Sequence, residues 1–149
     1  MAFSVVSDSG VLIASVLRES LTSKAQGLLK FWREGAVQIN APYLLHYEIV
    51  AALRKNAYRR LLTDPEAADA RDRLFNIPIR LFFDTNLLRR AYELAEQLNR
   101  PTAYDAQYLA VAERLGCDFW TTDEKLFNAS AEQLGYVKWL GHFTPPDAP

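Results

Sequence analysis

A single cysteine, Cys117, stands among the 149 residues, and methionine occurs once. One cysteine excludes an internal disulfide and with it the disulfide-stapled secreted class; the expected setting is the reducing cytoplasm. Histidine is nearly as scarce, at positions 46 and 142 only. The two lie far apart, neither has a neighbour at zinc-ligand spacing, and His46 reads as a satisfied helix histidine, so no zinc site is expected. No apolar run reaches the roughly 18 residues of a membrane span, and Met1-Ala2-Phe3-Ser4 lacks a basic leader region, so no membrane anchor is expected. An excess of one charge sign is missing too: 17 Lys and Arg face 18 Asp and Glu, for a net −1. That is not the basic footprint of a nucleic-acid binder. Four acids neutralised by a metal would leave the rest of the chain at +3, so the balance does not exclude one either.

What is present describes an ordinary globular protein, half hydrophobic and under a quarter charged. The length suits one domain with a full core, expected over residues 1–142, and the proline-rich end at 143–149 is expected to be a disordered tail. Phe3 to Ser7 reads as a short buried strand, Asp8-Ser9-Gly10 as a turn and helix cap, and Val11 to Leu17 as the helix. Ser20 to Glu34 forms a second helix that Gly35 ends, and Val37 to Asn40 a second strand. Pro42 opens a long helix to about Leu62, and Asp64-Pro65-Glu66 starts another ending near Phe75. Ile77 to Phe83 is a third strand, Thr85 to Asn99 an amphipathic helix, and Val137 to Leu140 the last strand. Strands alternate with helices throughout. The expected class is therefore α/β, a three-layer sandwich with a parallel sheet of four to five short strands and helices on both faces.

Pro101 to Phe127, PTAYDAQYLAVAERLGCDFWTTDEKLF, organises the rest. It reads as helix, short strand (Cys117 to Trp120), helix, which puts Asp105 and Asp123 at the starts of two successive helices. Helices that follow parallel strands begin where the strands end, so both acids, and Asp8 after the first strand, should face one crevice. Each alone has a plain explanation: Thr102 and Asp105 make a capping pair, and Asp8 and Asp123 are good helix caps. Glu48 differs. It lies inside PYLLHYEIVAAL, apolar nearly all round, where a buried carboxylate needs either an ion-pair partner such as Arg54 or Arg100, or a metal. Two carboxylates about 4 Å apart repel by roughly 4 kcal/mol at an effective dielectric of 20. Four in one pocket therefore call for a counter-charge, and an all-oxygen donor set selects a hard ion, Mg²⁺ or Mn²⁺.

VVSDSGVLIASVL, the acid within LLHYEIVAALRK, and AYELAEQLNRPTAYDAQYLAVAERLGCDFWTTDEKLF together resemble the PIN-domain ribonucleases, and among them the VapC-type toxins of prokaryotic toxin–antitoxin pairs. The similarity runs from Phe3 to about Leu140. It implies a metal-dependent endoribonuclease with Asp8, Glu48, Asp105 and Asp123 as catalytic metal ligands, Thr121 as the supporting hydroxyl, and Mg or Mn as cofactor. Water activated by the metal would attack the phosphorus, with Glu48 or Asp123 taking its proton. It also implies an RNA substrate, a homodimer and a cognate antitoxin lying in an apolar groove; Leu12, Leu17, Trp32, Leu44, Leu45 and Tyr58 are candidates for those surfaces or for core. RNA contacts are assigned to Arg54, Lys55, Arg59 and Arg100. Tyr104 and Tyr108 are read as helix packing rather than base stacking. One departure stands out: two residues after the first acid the family usually carries Ser or Asn, and this chain has Gly10. Ser9, one position earlier, is the available substitute beside Asp8.

Two other classes compete. A PIN-fold binding protein with weak or no nuclease activity would keep the fold and the partner. Phosphoryl-transfer enzymes on doubly wound sheets need an acidic pair after the first strand, and Asp8-Ser9-Gly10 does not supply one.

Overall fold

The computed structural model describes residues 3–146. Residues 1–2 of the expected domain and 147–149 of the expected tail lie outside the described residues. β1 (Ser4–Ser7), β2 (Gln38–Pro42), β3 (Ile79–Phe82), β4 (Asp118–Thr121) and β5 (Val137–Trp139) form one sheet in the order β3-β2-β1-β4-β5. All four pairings are parallel. The helices are α1 (Ser9–Val16), α2 (Thr22–Glu34), α3 (Leu44–Tyr58), α4 (Asp64–Phe75), α5 (Thr85–Gln97), α6 (Tyr104–Leu115) and α7 (Glu124–Ser130).

Adjacent residues of β1 point to opposite faces, as strand geometry requires. Val5 and its partner Ile39 join one core with Val11, Ala25, Leu28 and Trp32. Val6 and its partner Phe119 join the other with Leu12, Leu45, Leu94 and Leu109. Of the residues considered for partner surfaces, Leu12, Trp32 and Leu45 are therefore core, while Tyr58 is exposed. Burial also reaches past the expected domain end: Phe143 is buried, and Lys24 Nζ donates to the carbonyls of Gly141 and Phe143, at 2.9 and 2.8 Å.

α1 and α3 both begin where a strand ends, α1 after β1 with Asp8 between and α3 after β2 with Tyr43 between. Their far ends meet at a polar cleft of about 710 Å³ lined by Leu17, Arg18, Asn56 and Leu61. This arrangement fixes which residues reach the carboxyl end of the sheet and which are carried away from it.

Candidate active site

Asp8 leaves β1 at its carboxyl end and caps α1, its Oδ1 accepting the Val11 amide at 2.8 Å. Its Oδ2 accepts the Thr121 hydroxyl at 2.6 Å and the Thr122 amide at 3.3 Å. The same Thr121 hydroxyl accepts the Asp123 amide at 3.0 Å. Thr121 is fully buried at the end of β4, the paired neighbour of β1, so one hydroxyl joins two strand ends and two acids. Asp123 caps α7 by accepting the Leu126 amide on Oδ1 at 3.0 Å.

Glu48 arrives from the second turn of α3. Its Oε1 accepts the Tyr108 hydroxyl at 2.5 Å, and Tyr108 is buried on α6, stacked on Phe119. The ion pair with Arg54 or Arg100 expected as the plain explanation is thus replaced by a tyrosine. Arg54 is on the exposed side of α3, stacked over Tyr58, and Arg100 faces another acid. α3 is also less enclosed than its composition suggests. Leu45, Ile49 and Leu53 are buried, whereas Tyr43, Tyr47 and Val50 are exposed. Its histidine, His46, packs edge-on against Phe75 of α4, and its buried Nε2 has no hydrogen-bond partner among the described residues, contrary to the satisfied helix histidine expected.

Asp105 lies in the first turn of α6, but not as half of a capping pair. The N-cap is Ala103 without a side-chain bond, and Thr102 takes no part. Asp105 Oδ2 instead faces Arg100 Nη2 at 3.6 Å.

Burial pushes the Asp8 carboxyl up to about 6 against the pull of its hydrogen bonds to Thr121, Val11 and Thr122, and the charge of Glu48 adds to the rise. Glu48 is raised by burial and by Asp105, and lowered by the hydroxyls of Tyr108 and Ser9. Asp105 is raised by burial and by Asp123, with Arg100 opposing. The acids therefore feel one another in sequence, from Asp8 to Glu48 to Asp105 to Asp123. Among the described residues no three His, Cys, Asp or Glu side chains are grouped to hold an ion. The reason is local. Asp8 and Asp123 are held by their own helix amides, Glu48 by Tyr108 and Asp105 by Arg100. The donor set nevertheless fits a hard divalent ion, being all carboxylate, partly buried and mutually repelling. Asp105 and Asp123 each engage one oxygen in the contacts above and keep the second for another partner.

Of the four cations assigned to RNA, only Arg100 lies beside the acids. Arg54, Lys55 and Arg59 are exposed further along α3. At about 1.5 Å rise per residue, Arg54 is roughly 9 Å and Arg59 roughly 16 Å beyond Glu48, toward the far cleft. Tyr104 is exposed and Tyr108 buried, so the helix-packing reading holds for the second alone. Sequence reasoning missed Tyr108 as the donor to Glu48; its signal is a phenol on the apolar, buried side of α6, where its hydroxyl needs a polar partner.

A parallel sheet gathering carboxylates at its carboxyl end, with no Cys/His constellation beside them, defines an acid-lined α/β domain. The chain belongs to the PIN-domain family: the family model, described as PIN domain, matches residues 5–132. It is similar to Ribonuclease VapC9 of Mycobacterium tuberculosis, 27% identical over 129 residues, covering 87% of this chain and 93% of that protein. Ribonuclease VapC12 of the same species is 28% identical over 116 residues (78% and 88% covered). Ribonuclease VapC3 of Pyrobaculum aerophilum is 27% identical over 124 residues (82% and 91%). A crystal structure of a P. aerophilum protein shares the fold with TM-score 0.65 at 23% identity, over 95% of this chain and 93% of that one. No helix among the described residues is long and apolar enough to cross a membrane.

Proposed function

We propose that this chain is a Mg²⁺- or Mn²⁺-dependent endoribonuclease, the toxin of a toxin–antitoxin pair. The observation that carries the reading is the run of four carboxylates at the carboxyl end of the sheet, three of them raised by burial and each of those three also by a neighbouring acid. PIN-family membership and relatives named as ribonucleases support it.

Asp8, Glu48, Asp105 and Asp123 would hold the ion, which supplies charge neutralisation and Lewis-acid activation of water. The chain's own part is to orient. Thr121 fixes the Asp8 carboxylate and the start of α7 together, and Tyr108 holds Glu48 toward Asp105. Glu48 is the acid best set to take a proton from the attacking water, since burial raises it and a hydroxyl keeps it oriented. Arg100 is best placed for the phosphate. Its guanidinium, now 3.6 Å from Asp105, would be free to meet the substrate if Asp105 held the ion. Longer RNA would reach Arg54, Lys55 and Arg59.

Asp105→Asn is the most direct test, because Asp105 carries the least structural bonding of the four. Mn²⁺-dependent cleavage of total RNA is expected to fall by about a hundredfold or more while circular dichroism stays unchanged. Undiminished cleavage removes the mechanism.

The Arg100–Asp105 pair and the ungrouped acids favour a second reading, a PIN-fold binding protein with little or no turnover. Wild-type chain inert toward total RNA across Mg²⁺ and Mn²⁺ concentrations would select it. A homodimer and an antitoxin belong to both readings. Light scattering of the purified chain checks the first, and co-purification with the product of a neighbouring reading frame checks the second.

A further inference from the structure

Gly10 occupies the first turn of α1, two residues after Asp8. Its backbone is not left-handed, since Gly116 alone among the described glycines has a positive φ. Conformational freedom therefore does not explain it, and glycine within a helix costs roughly 0.5–1 kcal/mol relative to alanine. The space around it does. A Cβ built on Gly10 would lie 2.1 Å from Thr122 Oγ1, 3.3 Å from Thr122 Cβ and 3.3 Å from Asp8 Oδ1. The Thr122 hydroxyl thus fills the volume where a side chain at position 10 would begin, and that volume borders the Asp8 carboxylate.

Thr122 has no other evident reason to be there. The cap of α7 is Asp123, and the buried hydroxyl on Asp8 Oδ2 belongs to Thr121. Thr122 is nonetheless held from both sides. Its amide donates to Asp8 Oδ2 at 3.3 Å, and its carbonyl accepts Trp139 Nε1 at 3.3 Å. The Trp139 ring lies in turn against Gly141, where a Cβ would meet it at 2.3 Å. Two close approaches over glycine, at Gly10 and at Gly141, set the position of this one threonine.

We infer that positions 10 and 122 form one exchangeable site: the polar side chain beside Asp8 is delivered here from the β4–α7 connection by Thr122 rather than from α1. Thr122 is a positioning residue for Asp8, and Gly10 is the space it requires. A side chain at position 10 displaces the Thr122 hydroxyl from the space it fills beside Gly10. The consequence for metal binding rests on the nuclease reading; the exchange itself does not.

The test compares wild type, Gly10→Ser, Thr122→Ala and the double variant, by thermal unfolding in chelator and by calorimetric titration with Mn²⁺. Gly10→Ser alone is expected to lower the unfolding midpoint by roughly 3–10 °C through overpacking. Each single variant is expected to weaken Mn²⁺ binding about tenfold or more, the scale of losing a group that orients a ligand. The double variant, with a hydroxyl on α1 and room to hold it, recovers both quantities toward wild type, and Thr122→Ser retains the affinity that Thr122→Ala loses. If Gly10→Ser does not fold while the double variant does, the coupling is the same in extreme form. Additive losses in the double variant, or Mn²⁺ affinity unmoved by Thr122→Ala, overturn the inference. A wild-type chain that binds no Mn²⁺ ends the nuclease reading instead, and the stability comparison then decides the exchange alone.

Discussion

Asp8 concentrates the conflict on which the site is built. Three donors, Val11, Thr121 and Thr122, stabilise its ionised form, yet burial outweighs them and lifts the carboxyl from 3.8 to about 6. The folded chain therefore holds this proton more tightly than the unfolded chain does. Stability from the group is fully present below about pH 4 and is lost as pH rises through about 6, by on the order of 2–3 kcal/mol. Glu48 and Asp105 shift in the same direction. Asp84 and Glu113 shift the opposite way on arginine partners, but both are exposed, and Asp84, held down at about 2, loses its ion pair only well below pH 4. In chelator the unfolding midpoint is thus expected to be higher at pH 5 than at pH 7, and Asp8→Asn should flatten that slope. Thermal unfolding over pH 4.5–7.5 reads it directly. A midpoint that falls on acidification from 7 to 5 would mean that Asp8 is solvated rather than enclosed. Added Mn²⁺ should reverse the slope, because protons and the ion compete for the same oxygens.

At the scale of elements, the acids are placed by how helices start. α1 and α7 begin on Asp8 and Asp123 as caps, and α6 carries Asp105 in its first turn. These starts were legible because a capping residue followed by an apolar helix is a strong local pattern. Less legible were α3 and the turn into α6. The run from Pro42 to Leu53 looks enclosed because tyrosine and valine count as apolar, but within the helix only the 45-49-53 stripe is buried. Thr102 looks like a cap, yet the turn from Leu98 through Asn99, left-handed at φ 53°, aims Arg100 at Asp105 instead. No local pattern encodes that approach. The other end of α6 closes on Gly116, left-handed at φ 62°, whose amide returns to the Ala112 and Glu113 carbonyls before the chain enters β4. Gly116→Ala finds open space but the wrong backbone, so it is expected to lower stability by about 1 kcal/mol in urea unfolding. A neutral result would mean that the turn relaxes without its left-handed residue.

Across the whole molecule, the α/β class and the parallel sheet were readable from the alternation of elements, because a helix between successive strands is the crossover that parallel pairing needs. The convergence of the acids was readable only in part. Topology brings them to one end of the sheet, while their spacing depends on the partner each takes: Tyr108 reaches Glu48 across 60 positions and Thr121 reaches Asp8 across 113, and no local pattern pairs Arg100 with Asp105. The same topology separates the charges. Acids gather where strands end, and Arg54, Lys55, Arg59 and Arg60 sit beyond them along α3, so a net charge of −1 conceals a polar molecule. An RNA long enough to cross from one region to the other would feel both. Each phosphate contact with single-stranded nucleic acid contributes about 0.7 to the slope of log affinity against log salt. Replacing Arg54, Lys55 and Arg59 with alanine is therefore expected to reduce that slope by up to about 2 for a twenty-nucleotide RNA. For a tetranucleotide held at the acids and Arg100 the slope should not change. Fluorescence anisotropy across a salt series, with Ca²⁺ in place of Mn²⁺ to suppress turnover, makes the comparison. Equal slopes for wild type and variant on the long RNA would confine substrate contact to the carboxyl end of the sheet; a reduced slope on the tetranucleotide as well would mean that α3 approaches the acids more closely than its rise allows.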